Sequence, residues 1–305
     1  MSILVQNISK SYSSTLAVDK VSFDVNEGEL FGLIGPDGAG KTTVFRILTT
    51  LLLADEGIAT VTGFDVKEEY KAIRNSVGYM PGRFSLYMDL TVEENLTFFA
   101  TIFGTTIKQN YDLIHDIYVQ IEPFKNRRAG ALSGGMKQKL ALCCALIHNP
   151  SVLFLDEPTT GVDPVSRKEF WEMLQRLKQK GITILVSTPY MDEAALCDRI
   201  ALIHKGKILQ IDSPQHIIDS FTRTIYNVQT KNMHQLIEDL KQYSSQHSVF
   251  AFGEYVHYMD QKTDFYPEKL SNYLKDKNHL DIKIDIANTT IEDVFMDYTA
   301  QKTTR

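Results

Sequence analysis

Short runs of apolar residues mark the first two thirds of the chain and predict buried strands. Residues 30–34, 77–80 and 152–155 are apolar with almost no alternation. Such runs are typical of strands that are covered on both faces, as in a parallel sheet. Residues 199–204 and 207–211 form two further strand-like runs. The pattern favours an α/β core.

Apolar residues recur at helical spacing between these runs. Residues 43–53, 92–103 and 111–121 are predicted helices. Beyond residue 214 the signal is weaker, with strand-like patches at 224–228 and 280–286 and helical patches at 234–243 and 267–274. We therefore expect one large domain at 1–214 and a small α+β extension at 215–305. The role of that extension does not follow from its sequence.

The composition narrows the class of protein. The chain has 305 residues, 43% of them apolar, and can bury a sizeable core. No run approaches the roughly 18 apolar residues that cross a bilayer, and the first residues lack the apolar block of a signal peptide. We expect a cytoplasmic protein with reduced core cysteines at Cys143, Cys144 and Cys197. A net charge of -6 argues against a broad nucleic-acid surface.

The segment after the first predicted strand fits G-x-x-x-x-G-K-S/T, a phosphate-binding loop. Its glycines let successive backbone N–H groups and a helix N-terminus face an anion. The order of strand, loop and helix favours this interpretation over a chance turn. Lys41 is expected to reach the outer phosphates of ATP and Thr42 a magnesium ion. The candidate nucleotide-binding residues are Gly35, Pro36, Asp37, Gly38, Ala39, Gly40, Lys41, Thr42 and Thr43. The carboxylate of Asp37 stands at a variable position of the motif.

Two carboxylates end the predicted strand 152–155. Asp156, at the carboxyl end of a strand near a phosphate loop, is a candidate for binding magnesium. Glu157 is then the candidate catalytic residue that acts on the attacking water, together with Lys41. In isolation these acids would be equally consistent with a turn before Pro158.

Residues 132–138, LSGGMKQ, complete a set of three motifs in which this chain resembles the nucleotide-binding subunits of ABC transporters. Ser133 can cap a helix that starts near Gly134, and Gly134 and Gly135 expose N–H groups. Without a ligand, the same residues would be only a glycine-bearing helix start. The resemblance implies a cassette with a RecA-like parallel core, an antiparallel β subdomain and a helical subdomain at about 83–148. It also implies a dimer, in which this segment closes over the ATP of the opposite cassette.

Further residues match the family singly. Tyr12 stands where an aromatic ring would stack on adenine, although it is also consistent with a surface tyrosine. Gly161, Val162 and Asp163 resemble the loop that connects the two ATP sites, although they also suit a turn and a helix start. Ser187, Thr188 and a helix from Tyr190 resemble the switch region that senses the terminal phosphate.

Two positions depart from the family pattern. Gly82 stands where these proteins usually carry glutamine, and Pro189 stands where they carry the switch histidine. Neither side chain can donate to a phosphate or hold a water molecule, so hydrolysis is expected to be slow. Either two copies form a working homodimer, which we favour, or this chain pairs with a different cassette.

The resemblance implies a function as the ATP-binding and ATP-hydrolysing motor of an exporter, with ATP and Mg²⁺ as cofactors. The partners would be a separate transmembrane permease and a second cassette, and the motor would be peripheral on the inner face of the membrane. Residues 83–88, RFSLYM, suit a binding hot spot for the permease, or else the core of the helical subdomain. Residues 291–295, IEDVF, resemble the closing helix of drug, antibiotic and polysaccharide exporter subunits. Soluble ABC proteins with two cassettes or a long coiled coil fit less well, and the transported substrate does not follow from this chain.

Overall fold

The apolar runs form strands of a six-stranded sheet in the computed structural model, which describes residues 1–262 and 265–301. The chain divides into two compact units, Met1–Ser213 and Pro214–Arg305. The strands of the first unit are β1 (Ile3–Tyr12), β2 (Thr15–Val25), β3 (Leu30–Ile34), β4 (Glu56–Val61), β5 (Phe64–Asp65), β6 (Val77–Met80), β7 (Val152–Asp156), β8 (Thr183–Thr188), β9 (Arg199–His204) and β10 (Lys207–Asp212). Its helices are α1 (Lys41–Leu48), α2 (Tyr70–Ser76), α3 (Val92–Ile102), α4 (Tyr111–Tyr118), α5 (Gly134–Leu146) and α6 (Pro164–Gln179).

The core sheet has the strand order β10-β9-β3-β8-β7-β6. Strands β3, β6, β7, β8 and β9 run parallel, and β10 is antiparallel to β9. Every residue of β3, β7 and β8 is buried, because these are the central strands. Since parallel strands end at the same edge, the residues after Ile34 and at Asp156 and Thr188 lie along one edge of the sheet.

A second, antiparallel sheet has the order β2-β1-β4-β5. Its apolar face packs with α1 and the core sheet in one hydrophobic cluster. The rings of Phe23 and Phe31 stack at 5.5 Å and join the two sheets, and Phe45 of α1 meets Phe154 of β7 edge to face at 6.1 Å. This packing fixes the start of α1 beside the ends of β3 and β7.

The segment between β6 and β7 is helical. Thr91 and Glu94 form a capping box at the start of α3, and the buried Asn95 side chain binds backbone groups of residues 87–91. Helix α5 contacts both α3 and α4. Its second half, residues 140–146, is fully buried, including Cys143 and Cys144. These two thiols and Cys197 are free and buried, which confirms the prediction of reduced core cysteines.

Two predicted helices differ in the structure. The helix expected at 43–53 starts at Lys41 and ends at Leu48, because Thr50 adopts a left-handed conformation, with φ 61°. The helix expected from Tyr190 is a 3₁₀ helix at Met191–Leu196. Within the described residues, no helix combines the length and the apolar character needed to cross a bilayer.

The second unit is built on a four-stranded antiparallel sheet of order β12-β13-β11-β14. Its elements are α7 (Pro214–Asp219), β11 (Ile225–Gln229), α8 (Met233–Lys241), β12 (Gln246–Phe252), β13 (Tyr255–Asp260), α9 (Pro267–Asp276), β14 (Lys283–Ile286) and α10 (Ile291–Gln301). Leucines of α8 and α9 pack against alternate residues of β11 and β13. On β13 the intervening His257 bonds to Asp293 of α10, with 2.6 Å between Nδ1 and Oδ1. Helices therefore cover both faces of this sheet.

The α/β fold class is confirmed. The described part of the second unit has the α+β character that its sequence predicts. That residues 1–214 and 215–305 are separate domains stays a prediction.

Candidate nucleotide-binding site

The loop after β3 curls around the ammonium group of its own lysine. Lys41 Nζ donates to the carbonyl oxygens of Gly35 at 2.7 Å and Pro36 at 3.0 Å, and the residue is only 3% exposed. A Cβ on Gly35 would lie 2.2 Å from the carbonyl oxygen of Ile203, and Gly40 has φ 105°. Only glycine fits at these two positions. The loop therefore forms a backbone cradle around a buried positive charge.

The remaining loop residues differ in exposure. Ala39 and Thr43 are buried, Thr42 is half-buried, and Asp37 and Gly38 are exposed. The first turn of α1 carries no acidic side chain, so nothing there neutralises the positive end of the helix dipole. This combination favours an anion at the loop, whereas Asp37 is directed to the exposed side.

Two carboxylates predicted from the sequence lie at the end of β7. Asp156 is 2% exposed, and its Oδ1 accepts a hydrogen bond from Ser187 Oγ at 2.6 Å. Glu157 Oε1 lies 3.1 Å from Lys41 Nζ, and Glu157 N donates to Ser187. Glu157 has φ 51°, a conformation that few residues other than glycine adopt. The structure thus brings Lys41, Asp156, Glu157 and the switch serine together.

The same side chains suit magnesium and a nucleotide phosphate. Magnesium prefers oxygen ligands, and Thr42 offers a hydroxyl while Asp156 offers a buried carboxylate. The negative charge of Asp156 also affects Tyr79 nearby. Burial, and to a lesser degree Asp156, raises the pKa of Tyr79 to about 12. The buried ammonium of Lys41 supplies positive charge for the phosphates. The residues present therefore fit a magnesium-bound nucleotide.

Both positions that depart from the family pattern lie at this edge. A Cβ on Gly82 would lie 3.0 Å from the carbonyl oxygen of Asp156 and 3.8 Å from Glu157 Cβ. Pro189 directly follows Thr188, whose carbonyl oxygen accepts the N–H of Gly35 at 3.3 Å. Gly82 therefore lies next to the two carboxylates, and Pro189 lies next to the phosphate loop. The polar side chains usual in the family would stand at these two places.

The signature segment lies beside the loop that precedes α6. Ser133 caps α5, as predicted, by accepting the N–H of Met136 at 3.3 Å. A Cβ on Gly135 would lie 2.7 Å from Ser166 Oγ. Asp163 caps α6, and its hydrogen bonds, chiefly from the N–H of Ser166, lower the pKa of its carboxyl. Two helix N-termini, of α5 and α6, therefore lie next to each other.

Tyr12 lies at the end of β1 and is 42% exposed. An open ring face is compatible with stacking on a base, and that role stays a prediction.

A cavity of about 320 Å³ opens between the core sheet and the helical segment. His148 Nδ1 is buried there without a hydrogen-bond partner among the described residues, and its ring stacks on Phe103 at 3.8 Å. Burial lowers the pKa of His148, partly opposed by its bond to Val77. Of the predicted segment 83–88, Phe84, Ser85 and Leu86 line the cavity, while Tyr87 is 50% and Met88 45% exposed. The sequence did not identify His148 and Phe103 as residues that line a cavity. The aromatic residues 98, 99 and 103 of the predicted helix were the signal that could have indicated it.

A phosphate loop at the edge of a mostly parallel sheet, with paired acids on a neighbouring strand, defines a P-loop nucleotide-binding protein.

The sequence pattern of one family, described as ABC transporter, matches residues 18–160. The chain is 42% identical over 217 residues to the probable multidrug ABC transporter ATP-binding protein YbhF of Escherichia coli, covering 70% of this chain and 38% of that protein. It is 34% identical over 299 residues to the Nod factor export ATP-binding protein I of Mesorhizobium japonicum, covering 97% of this chain and 86% of that protein.

Solved structures agree with these relatives. An ATP-binding subunit of an ABC transporter superposes with a TM-score of 0.66 at 27% identity, over 72% of this chain and 93% of that one. A dimeric bacterial ABC transporter cassette superposes with a TM-score of 0.63 at 25% identity, over 69% of this chain and 98% of that one. The chain belongs to the ATP-binding proteins of the ABC transporter family, and the predicted family is confirmed. It spans 38% of the length of the first relative and 86% of the second.

Proposed function

We propose that this chain is the ATP-hydrolysing motor of an ABC exporter, which dimerises around two ATP molecules and drives a separate permease. The observation that carries the proposal is the contact of Lys41 with Glu157, beside Asp156 and Ser187, at the end of the parallel sheet. These groups match the needs of phosphoryl transfer, namely a cation for the phosphates, a carboxylate for the metal and a second carboxylate for water.

Each group has a distinct task. Lys41 exchanges its contacts with loop carbonyls and Glu157 for the outer phosphates of ATP. Thr42 and Asp156 would hold magnesium, which would supply positive charge against the phosphates. Glu157, once released from Lys41, orients the attacking water and accepts its proton. Tyr12 stacks on the adenine.

The second cassette completes the site. Ser133, Gly134 and Gly135 expose the N-terminus of α5, a 13-residue helix, to the phosphates bound by the partner. The similarity to a dimeric bacterial cassette supports this arrangement. We favour a homodimer, because Glu157, Asp163 and the complete phosphate loop are all present in this chain.

The permease is proposed to dock at the cavity between the core sheet and the helical segment. The lining is mainly apolar and aromatic, and Tyr87 and Met88 are exposed next to it. Docking there would bring the motor to the inner face of the membrane. The names of the two relatives, a multidrug transporter protein and a Nod factor export protein, support export. They do not identify this chain's cargo.

A second candidate function is that of a weak partner cassette that donates its signature segment to another ATPase. Gly82 and Pro189 favour it, because both remove a polar side chain at the catalytic edge.

Magnesium-dependent ATP turnover by the purified chain separates the two candidates. A self-sufficient motor turns over ATP and loses that activity in both Lys41→Ala and Glu157→Gln. ATP binding without turnover in the wild type would reject the homodimeric motor and favour the weak cassette. Failure of the wild type to bind ATP would reject both.

A further inference from the structure

A buried carboxylate joins the switch region to the loop that precedes α6. Glu193 is 2% exposed and lies in the 3₁₀ helix Met191–Leu196. Its Oε2 accepts a hydrogen bond from Thr188 Oγ1 at 2.5 Å, and its Oε1 accepts one from Thr159 Oγ1 at 2.8 Å. One carboxylate therefore contacts the end of β8 with one oxygen and the segment that follows β7 with the other.

Each threonine controls a different part of the site. Thr188 Oγ1 also accepts the N–H of Tyr190, so it fixes the backbone on both sides of Pro189. The Thr159 carbonyl accepts the N–H of Val162 at 3.2 Å, which closes the turn before Asp163. A movement of either segment changes the position of the carboxylate that the other segment contacts.

The charge of Glu193 is balanced by one cation. Arg167 of α6 lies 3.0 Å from Glu193 Oε1, stacks over the ring of Tyr190 at 4.2 Å, and also contacts Asp192 at 3.3 Å. A buried carboxylate with these three donors is held in one position, because loss of a hydroxyl donor leaves a buried oxygen without its hydrogen bond and loss of Arg167 leaves a buried charge uncompensated. Glu193 is thus a fixed link between β8 and α6.

We propose that Glu193 is a positioning residue that transmits nucleotide contact at the switch segment, Thr188 to Tyr190, to the loop Gly161 to Asp163. The inference rests on the proposed function, because that loop resembles the one that connects the two ATP sites of a cassette dimer. Pro189, in place of the switch histidine, offers the phosphate no donor. Ser187, which precedes Thr188 and bonds to both Asp156 and Glu157, then moves the switch segment, and Glu193 passes the displacement of Thr188 to Thr159.

Glu193→Gln tests the link, because the amide keeps the shape but one accepting oxygen becomes a donor facing hydroxyl or guanidinium donors. We expect kcat to fall about fivefold to tenfold, with the KM for ATP unchanged and the Hill coefficient reduced to about 1. A role confined to stability would lower the melting temperature without this split between kcat and KM. Thr159→Val, which removes one donor, should change kcat in the same direction if the glutamine variant folds poorly.

The matched control is Asp192→Asn. It removes the same charge from the same turn and from the same arginine, but its carboxylate is 75% exposed. It should leave kcat within about twofold of the wild type. An equal fall of kcat in Glu193→Gln and Asp192→Asn would overturn the proposal, since surface charge would then explain both.

Hydrogen exchange of the nucleotide-free protein tests the same link without ATP turnover. Glu193→Gln should speed exchange at Tyr190 and at Val162, whose amides lie far apart in the sequence. Faster exchange at Tyr190 alone would overturn the inference. If the wild type does not hydrolyse ATP, the proposed function fails, but this exchange result still decides whether the link exists.

Discussion

Replacing Glu157 by glutamine should raise the affinity for ATP while it abolishes most hydrolysis. Glu157 Oε1 lies 3.1 Å from Lys41 Nζ, and the two side chains are 22% and 2% exposed, respectively. An incoming phosphate must displace this carboxylate from the ammonium. The glutamine amide has the same shape but no charge, so it competes less for Lys41.

The size of the effect follows from the partial exposure of the pair. Solvent screens Glu157, so the ion pair contributes about 1 kcal/mol, which an incoming phosphate must replace. Loss of this competition should tighten ATP binding about fivefold. Loss of the general base should slow hydrolysis by about 10² to 10⁴-fold.

Titration with a fluorescent, non-hydrolysable ATP analogue measures the affinity separately from turnover. Thr160→Ala is a suitable control, because it removes a 3.4 Å contact to Glu157 Oε2 without changing any charge. At saturating magnesium and ATP, size-exclusion chromatography should show that the glutamine variant accumulates as a nucleotide-bound dimer. Weaker analogue binding than in the wild type would show that Glu157 does not compete for Lys41.

Three further changes probe other parts of the first unit. Gly40→Ala should abolish ATP binding in the same titration, since its Cβ would lie 2.5 Å from the carbonyl oxygen of Ala17. Gly38→Ala is the control, because Gly38 has φ 76° but no atom lies within 4 Å of the new Cβ. This variant should bind ATP and lose only about 1–2 kcal/mol of stability in urea unfolding. Pro189→His should speed ATP turnover severalfold if the missing imidazole limits the rate, and an unchanged rate would mean that another group already fills the role. His148 has a lowered pKa in the folded state, so the unfolded chain binds its proton first and stability should fall as the pH drops below about 6.5. Urea unfolding of His148→Gln between pH 5 and 8 should show a smaller fall than the wild type, and an identical fall would contradict this.

Strands β3, β6 and β7 were predictable from the sequence because burial removes polar residues from them. Strands β3 and β6 have the predicted bounds, and β7 is one residue longer because it includes Asp156. The phosphate loop was predictable for a related reason, since only particular residues fit a cradle of backbone around an anion. The end of α1 was not predictable, because the apolar residues 51–53 continue the helical pattern beyond its last turn.

Other features depend on contacts between distant residues and leave little local signal. Strands β12 and β13 were not predicted, since His247, Ser248 and His257 interrupt their apolar pattern. His257 can be buried because its Nδ1 is hydrogen-bonded to the carboxylate of Asp293, which lies far along the chain. The contact of Lys41 with Glu157 likewise depends on the pairing of β3, β8 and β7, which brings two motifs together.

The position of α10 in the sequence determines when the second unit can be completed during synthesis. Strands β11 to β14 precede α10, so the whole sheet emerges from the ribosome before α10 does. Asp293, which bonds to His257, and Asp297, which bonds to His247, emerge only with α10. Until they emerge, the buried imidazole of His257 and the partly buried one of His247 lack their carboxylates, and the sheet face that α10 covers is open. The first unit is complete by then, so the nascent chain carries its phosphate loop and paired acids before its second unit can close.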